Sequence, residues 1–182
     1  QVTCAHIDQN KIERLKRGEI PIYEPGLESL VKQNVAKGRL HFSHDVPKSI
    51  QNADIIFVAV GTPQGSNGEA NLSAIESVAK TIGENLNGYK IICTKSTVPI
   101  GTGKRIEEII RSMNPNGDFD YVSNPEFLRE GAAVKDFLHP DRVVIGTRTQ
   151  KAIKVMGEVY RPLYINEIPI ISTTVETAEM IK

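Results

Sequence analysis

The sequence has no net charge, few cysteines and no long apolar run, and each of these scarcities excludes a class of protein. Its 22 basic and 22 acidic side chains cancel, so no overall field attracts nucleic acid or an anionic membrane. The longest apolar run, residues 53–60, is interrupted by Asp54 and is far shorter than the roughly 20 residues of a membrane helix. We therefore expect a soluble protein whose partner is a small molecule, with no nucleic acid and no membrane among its partners.

The two cysteines, Cys4 and Cys93, lie in separate apolar segments. Two cysteines at this separation form neither a metal-binding signature nor a disulfide framework, so we expect no metal site. Unpaired cysteines are usually buried. We predict two buried, reduced thiols in a cytoplasmic protein.

The start of the chain also lacks features. It has neither an initiating methionine nor a signal peptide, because strand-like residues begin at once after Gln1. This start indicates a chain that begins within a fold. Its 182 residues are enough for one domain with a core and too few for two of ordinary size.

Short β-branched apolar runs alternate with longer amphipathic stretches along the chain. The pattern predicts strands at 2–7, 55–60, 91–94, 121–123, 142–146 and 168–172, and helices at 11–17, 74–86, 102–113, 150–161 and from 174 onward. Strands that are apolar on both faces and alternate with helices are typical of an α/β fold. We predict a mostly parallel sheet covered by helices on both sides.

Three of the predicted strands end in small polar residues and a proline, at 60–63, 95–99 and 122–125. A single pair such as Thr-Pro or Asn-Pro usually starts a turn or caps a helix. In an open α/β sheet, however, ligands bind at the carboxyl ends of the strands. Three such ends in parallel strands therefore favour one crevice, of a kind that a dinucleotide would fit.

Two acids, Glu126 and Glu130, follow the third of these strand ends. Four residues apart, they would share a helical face if the segment were helical, and both would then face the crevice. Acids early in a helix also interact favourably with its dipole. The spacing alone leaves a solvated first helical turn as an equal alternative.

Six blocks of the sequence carry a resemblance that extends over essentially the whole chain. They are Ile-Pro-Ile-Tyr-Glu-Pro-Gly-Leu at 20–27, Val-Gly-Thr-Pro at 60–63, Lys-Ser-Thr-Val-Pro at 95–99, Asn-Pro-Glu-Phe-Leu-Arg-Glu-Gly at 124–131, Pro-Asp-Arg-Val-Val-Ile-Gly at 140–146 and Ala-Glu-Met-Ile-Lys at 178–182. In this order they resemble the UDP-glucose 6-dehydrogenases. One block such as Gly-Thr-Pro would be weak support, whereas six in order are specific.

The resemblance implies a fold and a reaction. It implies a doubly wound Rossmann domain, a central helix and a second α/β domain, with residues 1–172 as a partial NAD-binding domain and 173–182 as the start of the central helix. The implied reaction is two successive NAD-dependent oxidations that convert UDP-glucose to UDP-glucuronate. The whole protein is expected to form a homodimer or a higher homo-oligomer.

The resemblance also assigns roles to eight residues. Cofactor contacts are implied for Lys11, Thr62, Thr97 and Glu130. Substrate contacts are implied for Glu126, Phe127, Leu128, Glu130 and Lys182. Catalytic roles are implied for Thr97, Glu126, Glu130 and Lys182.

Two of these implied roles are chemically explicit. Glu126 resembles the acid/base that assists water in breaking down a covalent thioester. Lys182 matches a lysine that stabilises the developing oxyanion, a task that a fixed cation performs well in a desolvated site. Without the block at 178–182, Lys182 would be interpreted as a solvated C-terminal lysine.

Parts of the family's machinery are not found in the chain. The glycine-rich phosphate loop is expected before Gln1 and the catalytic cysteine downstream of Lys182, and neither Cys4 nor Cys93 matches the context of that nucleophile. The sequence therefore predicts a domain that lacks its first strand and glycine-rich loop. By itself, the chain is expected to have no dehydrogenase activity.

One position departs from the family in a way that bears on the cofactor. His6 stands where an acid that binds the adenosine ribose is expected, and Asp8 follows two residues later. Strand alternation would place both on the same side. We expect NAD rather than NADP as the cofactor, with the ribose partner open between these two residues and His6 alternatively an ordinary strand-end residue.

Two other functions remain as alternatives. The GDP-mannose 6-dehydrogenases share the motif at 124–130 and the Glu-Met-Ile-Lys ending, whereas Gly131 and the block at 140–143 favour the UDP-glucose branch. A non-catalytic NAD-binding module is the third interpretation. The catalytic-type residues argue against it for the whole protein, since a protein that only binds NAD does not need them. They are Thr97, Glu126, Glu130 and Lys182.

Overall fold

The computed structural model describes residues 1–65, 68–164 and 167–182. Their strands and helices follow one another as β1 (Val2–Ala5), α1 (Gln9–Lys16), α2 (Leu27–Ala36), β2 (Leu40–Ser43), α3 (Val46–Asn52), β3 (Ile55–Val58), α4 (Ser73–Asn85), β4 (Lys90–Thr94), α5 (Thr102–Met113), β5 (Phe119–Ser123), α6 (Ala133–Leu138), β6 (Val143–Thr147), α7 (Gln150–Tyr164), β7 (Ile170–Thr173) and α8 (Val175–Ile181). They form two compact units. Unit 1 comprises residues 1–52 and 128–138, and unit 2 comprises residues 53–127 and 139–182.

Unit 1 contains a two-stranded parallel sheet, in which β1 pairs with β2 and Val2 lies opposite Leu40. Its first helix begins at a cap that the sequence specifies: the Asp8 carboxylate accepts a hydrogen bond of 3.1 Å from the Lys11 N–H. One turn into this helix, the Ile12 side chain is fully buried. The cap and this apolar contact together fix α1.

Unit 2 contains a five-stranded sheet with the order β3-β4-β5-β6-β7. Three of its four strand pairs are parallel, and β5 and β6 are antiparallel, with Ser123 opposite Gly146. Parallel strands are usually covered on both faces and therefore apolar throughout. This agrees with β4 and β6, in which every residue is buried. The predicted α/β fold with a mostly parallel sheet is confirmed.

One apolar cluster in the core of unit 2 lies between the central strands and α7, and further buried apolar side chains, such as Ile82 and Ile110, lie on α4 and α5. The cluster at α7 has ten members. It consists of Ile91, Cys93, Val122, Val143, Ile145, Ala152, Met156, Tyr160, Leu163 and Ile168. The four members from α7 are spaced by three or four residues, which places them on one helical face. That spacing explains why the segment is a helix packed on the sheet.

The sequence prediction missed several elements, all in unit 1. Helices α2, α3 and α6 and strand β2 were not predicted. Helix α3 does carry a start signal, because Asp45 accepts from the Lys48 N–H at 3.0 Å and Pro47 lies in the first turn, where a proline is tolerated. The assignment of residues 173–182 to a connecting helix stays a prediction.

The prediction that both cysteines are buried is wrong for Cys4. Cys93 lies in the middle of β4 and is fully buried, and this burial raises its pKa to about 12. Cys4 is exposed, like every residue of β1, because among the described residues that strand pairs with β2 alone. Nearby protein atoms still desolvate its sulfur enough to raise the thiol pKa.

Glu126 and Glu130 do not share a helical face, because the helix on which that arrangement depended does not form. Residues 124–129 are neither helix nor strand, and Glu130 lies in a turn. Directly after β5, the Asn124 N–H donates to the Thr94 oxygen at 2.9 Å and so prolongs the pairing with β4 by one residue. Among residues 1–65, 68–164 and 167–182, no helix combines the length and apolarity needed to cross a membrane.

Candidate active site

Two of the predicted cofactor residues meet at the carboxyl ends of β3 and β4 in unit 2. The Thr62 hydroxyl donates a hydrogen bond of 2.8 Å to the backbone oxygen of Thr97. A second bond joins the same two loops, since the Ser96 hydroxyl donates to the Val60 oxygen at 2.7 Å. The two strand ends are therefore tied together by their small polar residues.

Glu126 and Lys182 form an ion pair after β5. The Lys182 ammonium group donates to the Glu126 carboxylate at 2.8 Å and to the Glu126 backbone oxygen at 2.6 Å. The lysine side chain is 20 % exposed and the glutamate side chain 27 %. Because both are largely shielded from water, their interaction is stronger than that of an exposed surface pair.

Phe127 lies beside this ion pair, and two cationic side chains lie near its ring. The Lys182 nitrogen is 5.7 Å and the Arg142 guanidinium carbon 5.3 Å from the ring centroid. Both distances fall within the range of a cation–π interaction. The arrangement gathers positive charge around a partly exposed aromatic ring, which suits an anionic group on a ligand.

A cluster that the sequence analysis did not single out lies behind the ion pair. Lys95, at the end of β4, donates to the Asn124 side-chain oxygen at 3.3 Å and to the Tyr160 hydroxyl at 3.5 Å. Desolvation lowers the pKa of Lys95, and the negative charge of Glu126 opposes that shift. The available signal was a lysine directly following the apolar strand β4.

Asn124 links this cluster to the sheet. It is 1 % exposed, its side-chain nitrogen donates to the Val144 oxygen at 2.7 Å, and its side-chain oxygen accepts from the Tyr160 hydroxyl. A buried amide with partners on both ends has one orientation only. The residue immediately before the segment that carries Glu126 is thus rigidly held.

Another residue not singled out earlier is Glu179 of α8, which is 5 % exposed. Its carboxylate accepts hydrogen bonds from the Gly101 N–H at 2.7 Å and the Gly103 N–H at 2.6 Å, at the start of α5. Desolvation raises the pKa of Glu179, and these two backbone bonds oppose the shift. The signal was an acid three residues before Lys182 in the same short block.

The remaining predicted site residues, Lys11, Leu128 and Glu130, belong to unit 1. Lys11 is exposed in the first turn of α1, Leu128 is half-buried, and Glu130 is exposed. The turn after Glu130 is fixed by Glu24, whose carboxylate accepts from the Gly131 N–H at 2.8 Å and the Ala133 N–H at 3.1 Å. This contact joins the first and fourth of the six sequence blocks.

The expected alternation of His6 and Asp8 along a strand is wrong, because β1 ends at Ala5. His6 instead accepts a hydrogen bond at its Nδ1 from the Asp8 N–H at 2.9 Å. The Asp8 carboxylate caps α1 through the Lys11 N–H. Both side chains therefore have local structural roles.

The strand ends of unit 2 have room for a cofactor. A Cβ atom built at Gly61 would have no described neighbour within 4 Å. The Thr97 side chain is exposed, and its hydroxyl has no hydrogen-bond partner among the described residues. Open space at a glycine beside an unpaired hydroxyl group fits the approach of a dinucleotide at the carboxyl ends of parallel strands.

The model of the UDP-glucose/GDP-mannose dehydrogenase family, NAD-binding domain, matches residues 1–164. The chain belongs to this family. NAD is thus the cofactor of the matched domain, as predicted from the sequence. The family is one of nucleotide-sugar dehydrogenases, which confirms the predicted enzyme class at this level.

Individual members of the family are similar over the whole chain. The chain is 52 % identical to UDP-glucose 6-dehydrogenase of Rhizobium meliloti and 50 % identical to UDP-glucose 6-dehydrogenase TuaD of Bacillus subtilis, in both cases over 100 % of its length. It spans 42 % and 39 % of those two proteins. The chain is thus about two fifths as long as these relatives.

Solved structures of family members have the same fold. A UDP-glucose dehydrogenase from Pyrobaculum islandicum superimposes with a TM-score of 0.94 at 33 % identity, over 99 % of this chain and 42 % of that one. A ternary complex of GDP-mannose dehydrogenase from Pseudomonas aeruginosa also gives 0.94, at 37 % identity, over 100 % of this chain and 42 % of that one. The predicted Rossmann-like fold is confirmed by these family members.

Proposed function

We propose that the protein carrying this chain oxidises UDP-glucose to UDP-glucuronate in two NAD-dependent steps. Family membership supports nucleotide-sugar oxidation. The relatives at 52 % and 50 % identity that are named UDP-glucose 6-dehydrogenases support this particular substrate. Since the chain spans about two fifths of those proteins, the activity is proposed for the whole protein.

The observation that carries the proposal is the ion pair between Lys182 and Glu126, 2.8 Å apart. A shielded ammonium group at this position would stabilise negative charge that develops on a substrate oxygen. The adjacent carboxylate would move a proton to or from a water molecule in the hydrolytic step. A module that only binds NAD has no use for this arrangement.

When bound, NAD supplies the hydride acceptor for both oxidations. The loops that carry Thr62 and Thr97 would hold it at the strand ends of unit 2, with Lys11 contributing positive charge near its phosphates. Glu130 would contact both cofactor and substrate. Phe127 and Leu128 would line the substrate-binding segment, where the cations around Phe127 suit the diphosphate of a nucleotide sugar.

The substrate is tested by turnover of the whole protein. With UDP-glucose and excess NAD, we expect two molecules of NADH for each UDP-glucuronate, measured by absorbance and by mass spectrometry of the product. Faster turnover of GDP-mannose would favour the alternative substrate. Tight NAD binding without turnover of either sugar would identify a binding module and contradict the proposal.

The role of Glu126 is tested by Glu126→Gln in the whole protein. The amide has a similar volume, so substrate placement should survive while proton transfer, typically worth about 10²- to 10⁴-fold, is lost. We expect the covalent thioester, which the second oxidation forms, to accumulate because its hydrolysis is slowed, as seen by rapid mixing and mass spectrometry. Lys182→Ala should slow an earlier step, because an oxyanion forms at each stage.

A matched control is Glu108→Gln on α5, where the glutamate is exposed. This variant should turn over like the unmodified protein. An unchanged steady-state rate in Glu126→Gln, with no accumulated intermediate, would remove the assigned role. We further infer that the whole protein is cytoplasmic and forms a homo-oligomer. Sedimentation of the whole protein would test the oligomeric state.

A further inference from the structure

We propose that Glu179 is a positioning residue: it seats α8 on the start of α5 and thereby places Lys182 beside Glu126. The inference rests on the proposed roles of Lys182 and Glu126. It concerns geometry within unit 2, which contains every residue involved. It can therefore be tested without measuring turnover.

The contact is bidentate and buried. One carboxylate oxygen of Glu179 accepts from the Gly103 N–H at 2.6 Å and the other from the Gly101 N–H at 2.7 Å. The first N–H groups of a helix lack partners within the helix and carry its positive dipole end. Hydrogen bonds to an ionised acceptor are stronger than neutral ones. A carboxylate is thus well suited to hold this helix start.

Close packing shows that α8 is seated deeply at this point. A Cβ atom on Gly103 would lie 3.0 Å from a Glu179 oxygen and 2.8 Å from Val175. On the other side, a Cβ atom on Gly146 would lie 2.4 Å from the Ala178 Cβ atom. Glycines in α5 and β6 therefore allow α8 to approach closely enough for Glu179 to reach two N–H groups.

Lys182 depends on this seat because of its place in the chain. It follows Glu179 by only three residues and is the C-cap residue of α8, so its backbone position is set by the last helical turn, which contains Glu179. Helix α8 ends at Ile181, directly before the lysine. A shift of the last turn of α8 would move the Lys182 ammonium group by a similar distance, away from a contact of only 2.8 Å.

A second charged side chain of α8, Glu176, makes a weaker contact. Glu176 accepts from Arg148 at 3.0 Å, but both side chains are about half exposed, and exposed pairs contribute little. Glu176 is thus a matched control, because it is a glutamate on the same helix with a charged partner. The buried contact, rather than the exposed one, sets the depth of α8.

The experiment compares two variants of Glu179 with one of Glu176 in the whole protein, by NMR of the lysine ammonium groups. Glu179→Gln preserves volume but presents an amide nitrogen to one of two N–H donors, and Glu179→Asp preserves charge but shortens the reach. In both, we expect the hydrogens of the Lys182 ammonium group to exchange about tenfold faster or more, as follows from loss of a charge-assisted hydrogen bond. Glu176→Gln should leave this exchange unchanged. Lys182→Gln assigns the signal.

Two observations establish that a variant is folded. Its Cys93 thiol reacts slowly with a labelling reagent, and the amide chemical shifts of β4 are unchanged. Unchanged Lys182 exchange in either folded Glu179 variant would overturn the inference, as would equal acceleration in Glu176→Gln. If Glu179→Gln does not fold, Glu179→Asp decides alone. The exchange measurement does not depend on turnover, so a negative result would not contradict the proposed reaction. Equally, an absence of turnover in the whole protein would not contradict the positioning role of Glu179.

Discussion

Strand β4 of unit 2 is buried at all five of its residues, whereas strand β1 of unit 1 is exposed at all four. The apolar side chains that unit 1 buries, among the described residues, are Ile12 and Ile50. Unit 2 instead buries a cluster of ten residues beside α7 and further apolar side chains on α4 and α5. Apolar burial is the main favourable term in folding, so the two units must differ in what stabilises them.

In each unit, one glutamate carboxylate accepts hydrogen bonds from two backbone N–H groups, but the surroundings differ. In unit 1, Glu24 accepts from the N–H groups of Gly131 and Ala133, and in unit 2, Glu179 accepts from those of Gly101 and Gly103. Glu24 is half-buried, whereas Glu179 is 5 % exposed. Unit 1 therefore depends more on polar contacts close to water, and unit 2 on an apolar core with a buried polar contact.

The largest difference is expected in thiol reactivity. In the folded chain, Cys4 should react with a thiol reagent about 10³-fold faster than Cys93 or more, because Cys93 becomes accessible only when unit 2 unfolds, at a cost of several kcal/mol. Mass spectrometry after timed labelling measures both rates. In concentrated guanidinium chloride the two should react alike, and equal rates in the folded chain would refute the contrast.

The next largest effect concerns the core of unit 2. Ile145, in the middle of β6, is fully buried, so Ile145→Ala should lower the free energy of unfolding by about 2–5 kcal/mol. Urea titration followed by circular dichroism measures it. Ile7→Ala is the matched control in unit 1, because Ile7 is 87 % exposed. Its effect should stay within about 0.5 kcal/mol, and a similar loss in both variants would contradict the comparison.

A smaller loss is expected from adding one methyl group where α8 packs on β6. The Cβ atom of Gly146→Ala would lie 2.6 Å from the Thr174 oxygen, a backbone atom that no side-chain rotation can move. We expect a destabilisation of about 1–3 kcal/mol by the same titration. In the control Gly157→Ala on α7, the new methyl group meets no described atom within 4 Å. That variant should be neutral or stabilised by up to about 1 kcal/mol.

The smallest effect is a pH dependence of unit 1. Hydrogen bonds from the Arg129 side chain and N–H group lower the pKa of Asp136 to about 2. An acid whose pKa is lowered by folding stabilises the fold above its ordinary pKa, and this contribution is lost as the pH falls through about 2. The protection of α6 amides, measured relative to the intrinsic exchange rate at each pH, should therefore fall between about pH 4 and pH 2.

The variant Asp136→Asn should remove this pH dependence from α6, and Asp118→Asn in unit 2 should preserve it. The effect is small because Arg129 is largely exposed and the pair is screened by solvent. A profile of α6 exchange that stays the same in Asp136→Asn would show that other groups determine the acid sensitivity of unit 1.

The sequence predicted unit 2 better than unit 1 for a physical reason. Helix α5 has the predicted bounds, because its buried Ile106 and Ile110 recur at helical spacing. Strand β2 was missed, since its four residues include the polar His41 and Ser43 and none of them is fully buried. Periodicity is a signal of burial, and it fades where a unit buries little.

For the candidate site, the sequence indicated which residues take part but not which of them contact one another. Its motifs indicated Glu126 and Lys182, which the structure joins in one ion pair. The helical spacing of Glu126 and Glu130 was misleading, because no helix forms there and Asn124, just before them, is bonded to β4 and β6. Glu179 was missed because its partners are backbone N–H groups 76 and 78 residues away, which no side-chain pattern records.

Unit 1 is made of two separate segments, residues 1–52 and 128–138, and this affects how the chain can fold during synthesis. Residues 1–52 leave the ribosome before residues 128–138, and Glu24 meets its partners only after residue 133 has been made, 109 residues later. Vectorial synthesis ordinarily lets an earlier segment fold before a later one. Here the contacts of Glu24 must wait for the later segment, so we expect residues 1–52 to remain open to chaperones and proteases while much of unit 2 is still being translated.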